Sequence, residues 1–369
     1  MIPGRRALYD QIEKTRGSRV ISYITGDRPG LEIQIHPEIV DHFVHHLDLI
    51  GVTPKISLVL HTRGGNTLAA WSLVNLIRQF CDDFEVIVPA KAQSAGTLIA
   101  MGANAIVMTK QATLGPIDPS ITGPLNPTLA TPGGPQRVPV SVEAINGFLE
   151  FAKEGLGTGA AHHELGALMG ELTRQVHPLV LGSAFRARAQ IRMLGRRLLQ
   201  RHMTDNATID KLLAFLCSES GSHDYTIFRR EARDELGLNI IKPTVDEYLV
   251  LKALYDQVSA ELQLGDPYDP NVLLNRHVPD PNAPGSPPTA PTLPPGMQLP
   301  PAMLAALAAS TGPNVPYTHR RGLLESVPGG THVFVSEGVL QRQKLPHPSG
   351  VLQDAILDTK NFEGWRHEK

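Results

Sequence analysis

Ser94 stands in Gln93-Ser94-Ala95-Gly96-Thr97, directly after the strand-like Val86-Ile87-Val88-Pro89 and at the head of a run of small residues with helical character. A strand-to-helix junction displays a serine hydroxyl for attack on a carbonyl, and the helix N-terminus there favours the negative charge that develops. Earlier in the chain, Ile56 to His61 runs into Thr62-Arg63-Gly64-Gly65-Asn66 and then an amphipathic helical segment. Attack builds charge on an oxygen that preorganised donors must meet, and glycines let backbone N–H groups reach it with no side chain in the way. With Ser94 as nucleophile, Gly64 and Gly65 are expected to form one half of an oxyanion hole and the Ala95 amide the other. The plainer readings of the same residues are a Gly-Gly turn and a serine helix cap.

Two such junctions converge if their strands are neighbours in a parallel sheet. Strand patterns at 19–24, 56–61, 85–88 and 105–108 alternate with helical patterns at 67–80 and 95–103. A short helix over 8–13 precedes them, and another begins near Pro37, with Ile39, Val40, Phe43 and Leu47 at helical spacing. This order predicts an α/β fold in which a mostly parallel sheet is flanked by helices. Residues 122–139 carry Gly123-Pro124, Asn126-Pro127 and Pro132-Gly133-Gly134-Pro135, which predicts a loop suited to the rim or flap of a cleft.

The segments Leu58 to Gly65, Gln93 to Gly96 and Ala112 to Pro119 resemble, in order and spacing, the serine-peptidase branch of the Clp protease/crotonase superfamily. The nearest likeness is to the serine dehydrogenase proteinases, relatives of signal peptide peptidase A. It extends over residues 15–263, taking in His177 to Gly182 and Ser222 to Ile227. The resemblance implies the Clp protease/crotonase-like fold, hydrolysis of peptide bonds, a peptide or unfolded protein substrate, and a homo-oligomer. A serine needs a base to take its proton. Gly115 to Ser120 holds no histidine where Clp protease carries one. Signal-peptide-peptidase-like members use a lysine, and Asn146 to Lys153 resembles the helix that supplies it, which implies Lys153 as base in a Ser-Lys dyad. Val142, Ile145, Leu149 and Ala152 form an apolar face along which the Lys153 stem can run, and desolvation there would lower its pKa. His223, beside Asp224, is the alternative base. Asp118, between Pro116 and Pro119, either caps its turn or supports the base and cleft.

Farther on, 161–203 reads as helix interrupted at His177-Pro178, where His177 is a cap or a core polar residue. Its second half bears Arg186, Arg188, Arg192, Arg196, Arg197 and Arg201 with an apolar stripe, a pattern read as an oligomer contact or a solvated face. With 34 basic against 36 acidic residues, the chain has no excess charge to bind nucleic acid. A strand at 226–228, a helix at 229–236 and a helix at 244–262 complete a catalytic domain of residues 1–263. Residues 264–302 read as a linker, with 12 prolines between 265 and 301. Residues 303–369 form a small C-terminal extension of open role, a separate module or a strap, starting with a helix at 303–309.

No signal peptide and no integral membrane segment is expected, and Cys81 and Cys217 alone fit a reducing, cytoplasmic compartment. No cofactor and no metal is expected. His162-His163 diverge around a helix, and His42, His45 and His46 lack the acidic residue of a zinc peptidase, so they read as a surface cluster. Thr62 to Gly65 fits neither a phosphate loop nor a dinucleotide fingerprint. Beside the peptidase stand two alternatives: a noncatalytic oligomeric scaffold binding protein partners, and a crotonase-like acyl-CoA enzyme.

Overall fold

Strands that are apolar at almost every position are buried only where helices cover both faces of their sheet. The computed structural model describes residues 3–117, 120–131, 134–155, 162–219, 222, 224–276, 313–346 and 352–368. Helix α1 (Pro3–Arg16) precedes β1 (Arg19–Thr25), α2 (Ile39–Ile50) leads to β2 (Lys55–His61), and α3 (Thr67–Ile77) to β3 (Asp83–Val88). The short β4 (Lys91–Ala92) and α4 (Ala95–Met101) lead to β5 (Ala105–Met108). Strands β1, β2, β3 and β5 are parallel neighbours. Alternate residues face opposite layers, as pleating requires. Leu58, Leu60 and Val86 pack toward α2, α3 and α4, whereas Val59 and Ile87 pack with Tyr9 of α1 and with Leu251 and Val258 on the other side.

After β6 (Thr113–Leu114) and β7 (Ser120–Ile121), residues expected to be a loop form a two-stranded ribbon, β8 (Thr128–Thr131) with β9 (Gly134–Arg137). Proline excludes this segment from a central sheet, but a ribbon whose outer edges are unpaired tolerates it. Then come β10 (Val140–Ser141), α5 (Val142–Gly155), α6 (His162–Gln175), α7 (Pro178–Leu199) and α8 (Asn206–Ala214). His177 caps α7, its Nδ1 accepting from the Leu179 amide at 3.2 Å. The arginine face of α7 pairs Arg196 with Asp210 and, just beyond the helix, Arg201 with Asn75. Next are β11 (Ile227–Phe228), α9 (Arg229–Asp234), β12 (Ile240–Ile241) and α10 (Val245–Leu262), the last opened by a Thr244–Glu247 capping box. Within the stretch expected to be linker, Pro270–Arg276 forms α11, with proline in the first turn, where its missing N–H costs nothing. The helix expected at 303–309 lies outside the described residues.

The C-terminal strands β13 (Val315–Ser326), β14 (Gly330–Pro346) and β15 (Leu352–Glu368) join the edge of the main sheet, β13 running antiparallel to β1. The result is a mixed eight-stranded sheet, β12-β5-β3-β2-β1-β13-β14-β15, within an α/β fold. An ionic network, buried at Arg5 and Glu325 and reaching the surface at Arg320 and Glu368, fastens this addition. Arg5 pairs with Glu261 at 2.5 Å and Glu325 at 3.2 Å, Tyr9 donates to Glu325 at 3.0 Å, and Arg320 pairs with Glu261 and Glu368. The same strands cover part of α2, which corrects the expectation of surface histidines at two of the three positions: His46 is fully buried and His42 half-buried, while His45 is exposed. Burial first, then the surrounding imidazoles, lowers His46 to about 3 and His332 to about 4. Among the described residues, no helix is long and apolar enough to cross a membrane.

Candidate active site

Thr62 fastens the two junctions together. Its N–H donates to the Lys91 carbonyl and its carbonyl accepts from Gln93, both at 3.0 Å, so β2 and β4 end side by side. Its hydroxyl accepts from Thr25 Oγ1 at 2.6 Å and from the Gly64 amide at 3.0 Å, holding the glycine turn. Its methyl occupies the space a Cβ at Gly96 would need, 2.4 Å away. On the other side of α4, Thr97 Oγ1 accepts from the Gly115 amide at 3.1 Å and lies 2.9 Å from the Ala92 carbonyl.

Between these clasps, Ser94 adopts φ 50°, ψ −116°, a positive-φ conformation that costs a non-glycine residue about 1–3 kcal/mol. It heads α4 without making a cap hydrogen bond, so its half-buried hydroxyl is not spent as a helix cap. Gly64, at φ 112°, faces it. A Cβ there would lie 2.7 Å from Ser94 Cβ and 2.9 Å from the Gln93 carbonyl. Gly65, at φ 141°, abuts Ile35, whose N and O would both lie 2.5 Å from an added Cβ. Ile35 donates to the Gly64 carbonyl and accepts from Asn66, each at 2.8 Å, and Asn66 Oδ1 caps α3.

These bonds sort the backbone donors. The Gly64 amide is committed to Thr62, while among the described residues neither the Gly65 nor the Ala95 amide donates to an acceptor. Two such amides beside a strained serine can stabilise a developing oxyanion. Gly65 also lines a groove of about 740 Å³, walled by Ile33, Ile35, Phe334 and Trp365, so the C-terminal strands supply one side of it.

Below the junction, Asp27 accepts from Lys91 Nζ at 2.6 Å and meets His61 Nε2 at 3.2 Å. Burial opposes ionisation of Asp27, but the His61 contact and then Lys91 outweigh it and hold the carboxyl well below the usual carboxylate range. This ionic pair braces the ends of β2 and β4.

The fold thus brings Ser94, Ala95, Gly64 and Gly65 together. Lys153 lies in α5, with its side chain outside the described residues, as are Asp118 and His223. Reading the chain as motifs assigned no part to Thr62 beyond its place in Leu58 to Gly65, although a β-branched hydroxyl residue before the glycines is a visible signal. Ile35 carried none, since its contribution is a backbone bridge.

Residues 1–130 match the family model described as ClpP-like SDH-type serine proteinase. Two uncharacterized proteins of Methanocaldococcus jannaschii are similar. One is 37% identical over 117 residues, which are 30% of this chain and 40% of that protein. The other is 30% identical over 215 residues, 57% of this chain and 63% of that protein. The chain therefore spans less than two thirds of either relative. Among solved structures, a point mutant of the 1510-N membrane-bound stomatin-specific protease is 19% identical, with a TM-score of 0.31, over 59% of this chain and 79% of that one. Another mutant of it, in complex with a substrate peptide, is 20% identical, with a TM-score of 0.31, over 58% and 74%. A mutant of ClpP1 from Listeria monocytogenes is 14% identical, with a TM-score of 0.34, over 64% and 99%.

Proposed function

We propose that this chain, whose residues 1–130 match the ClpP-like SDH-type serine proteinase family, is a serine peptidase of Clp protease/crotonase-like fold that cleaves extended peptides or unfolded proteins. The observation that carries the reading is the strained, uncapped Ser94 set against Gly64, with the Gly65 and Ala95 amides left without acceptors among the described residues. In the proposed reaction, Ser94 Oγ bonds to the scissile carbonyl carbon and the carbonyl electron pair moves onto oxygen, where the Gly65 and Ala95 amides receive it. Gly64, its own amide held by Thr62, serves by allowing the close approach. The hydroxyl proton passes to the base and from it to the leaving amine as the C–N bond breaks; water then releases the acyl group by the same route.

Lys153 is the proposed base, acting as a neutral amine, with His223 as its alternative and Asp118 as site support. The motif likeness at 146–153 and the helical spacing of the apolar residues Val142, Ile145, Leu149 and Ala152 in the sequence support Lys153, because a lysine accepts protons near neutral pH only when desolvation or a neighbouring cation lowers its pKa. A homo-oligomer acting in the cytoplasm completes the reading, and the two buried cysteines, not disulfide-bonded, suit a reducing compartment.

Incubation with a fluorophosphonate followed by peptide mapping tests the nucleophile. Labelling of Ser94 is the expected result, and labelling of another serine removes the assignment. Peptide, ester and thioester substrates assayed together separate the alternatives. Thioester turnover alone favours an acyl-CoA enzyme, and turnover of none by the assembled oligomer favours a scaffold.

A further inference from the structure

Three histidines of α2 face two from the C-terminal strands, and the two sets meet although 286 residues separate His46 from His332. We propose that His45, His332 and His367 form a binding site for a divalent transition metal, zinc in the first instance, which ties α2 to β14 and β15. The site does not depend on the hydrolase reading and lies outside the Ser94 junction.

The geometry brings three imidazoles within reach of one ion. One ring nitrogen from each of the three histidines lies within 4.8 Å of the other two. Three imidazoles bound to a tetrahedral ion at about 2.05 Å would place their ring centres roughly 5.2 Å apart and their nitrogens roughly 3.4 Å apart. The observed ring centres are 5.2 Å apart for His45 and His332, 5.3 Å for His45 and His367, and 4.5 Å for His332 and His367. His332 and His367 are stacked at 24°, so ion binding requires exposed His367 to turn its ring and exposed His45 to follow, while buried His332 stays fixed.

The outer hydrogen bonds already sort the tautomers. His332 Nδ1 lies 3.0 Å from His46 Nε2, and His46 Nδ1 lies 2.7 Å from Ser326 Oγ. If His332 binds the ion through Nε2, its Nδ1–H donates to His46, whose own Nδ1–H donates to Ser326, and every nitrogen of the chain has a consistent role. His367 Nε2 meets the Gly329 carbonyl at 3.2 Å, which makes that nitrogen the donor and leaves Nδ1 for the ion. Three neutral imidazoles favour borderline ions such as zinc, nickel, cobalt and copper over magnesium or calcium, and leave a fourth position for water.

The test uses the full chain without a histidine tag. Zinc chloride titrated calorimetrically is expected to fill one site, with affinity reduced at least tenfold in His45→Ala and in His367→Ala. Both side chains are exposed, so these variants keep the fold. His36→Ala, altering an exposed histidine elsewhere, should bind as wild type. Ser326→Ala should weaken binding about tenfold through the His46 relay. Zinc at a few times the wild-type dissociation constant should raise the thermal midpoint of the wild type clearly more than that of His367→Ala. No zinc binding by the wild type, or undiminished binding in both ligand variants, overturns the proposal.

Discussion

At the Ser94 junction, the groups that matter come from two short segments, Thr62 to Asn66 and Gln93 to Gly96, and most of them are backbone. Beneath α2, the groups are side chains drawn from three elements, and each ring reaches its partners only because β14 and β15 lie where they do. A backbone-built site depends on conformation, so it is disabled by residues that alter φ or fill space. A side-chain cluster depends on placement, so it is disabled by truncation and leaves the distant turn untouched.

The largest expected effect breaks the first region alone. Ser94→Ala should lower peptide or ester turnover by about 10³-fold or more through loss of the covalent route, with zinc binding unchanged. Lys153→Ala should cost about 10²–10⁴-fold if that amine takes the proton, and a wild-type rate would transfer the role to another base. Steady-state rates and calorimetry on the same preparations read both regions.

Gly64→Ala should come next. The added methyl meets Ser94 Cβ at 2.7 Å at φ 112°, so stability should fall by on the order of 2 kcal/mol and the serine should shift out of line. Gly17→Ala, at φ 59° with nothing within 4 Å, should cost only about 1 kcal/mol and leave turnover alone. Equal losses of activity at both positions would show that the tight contact does not matter.

Asp27→Asn tests the ionic pair under the junction. Because the folded carboxyl titrates below its unfolded value of about 3.9, its contribution is present above about pH 4 and disappears as pH falls through the folded value. The variant should therefore be roughly 1–2 kcal/mol less stable at about pH 7, with the gap narrowing below about pH 4. Denaturation curves at several pH values measure this, and a constant gap would exclude the charge as its source.

The smallest effect has the opposite sign. Ser94→Gly removes the positive-φ strain and should raise stability by about 1 kcal/mol while abolishing turnover. A lower thermal midpoint would mean that the serine conformation carries no stored strain.

The amino-acid sequence determined the parallel strand-and-helix half of the fold and the Ser94, Gly64, Gly65 and Ala95 grouping, because contiguous apolar runs and glycine turns record local conformation directly. The start of α10 at Thr244 was legible for the same reason, while His177 read equally as a cap or a core polar residue until its contact with the Leu179 amide selected the cap. Proline-rich composition misled at 128–137 and 270–276, since proline forbids a central strand or a helix interior but allows a ribbon or a helix start. Only the tertiary structure decided that Ile35 braces the turn and that His332 and His367 complete what α2 begins. Those outcomes rest on contacts between distant segments, and the spacing of residues along one helix or strand holds no information about which partner will be laid across it.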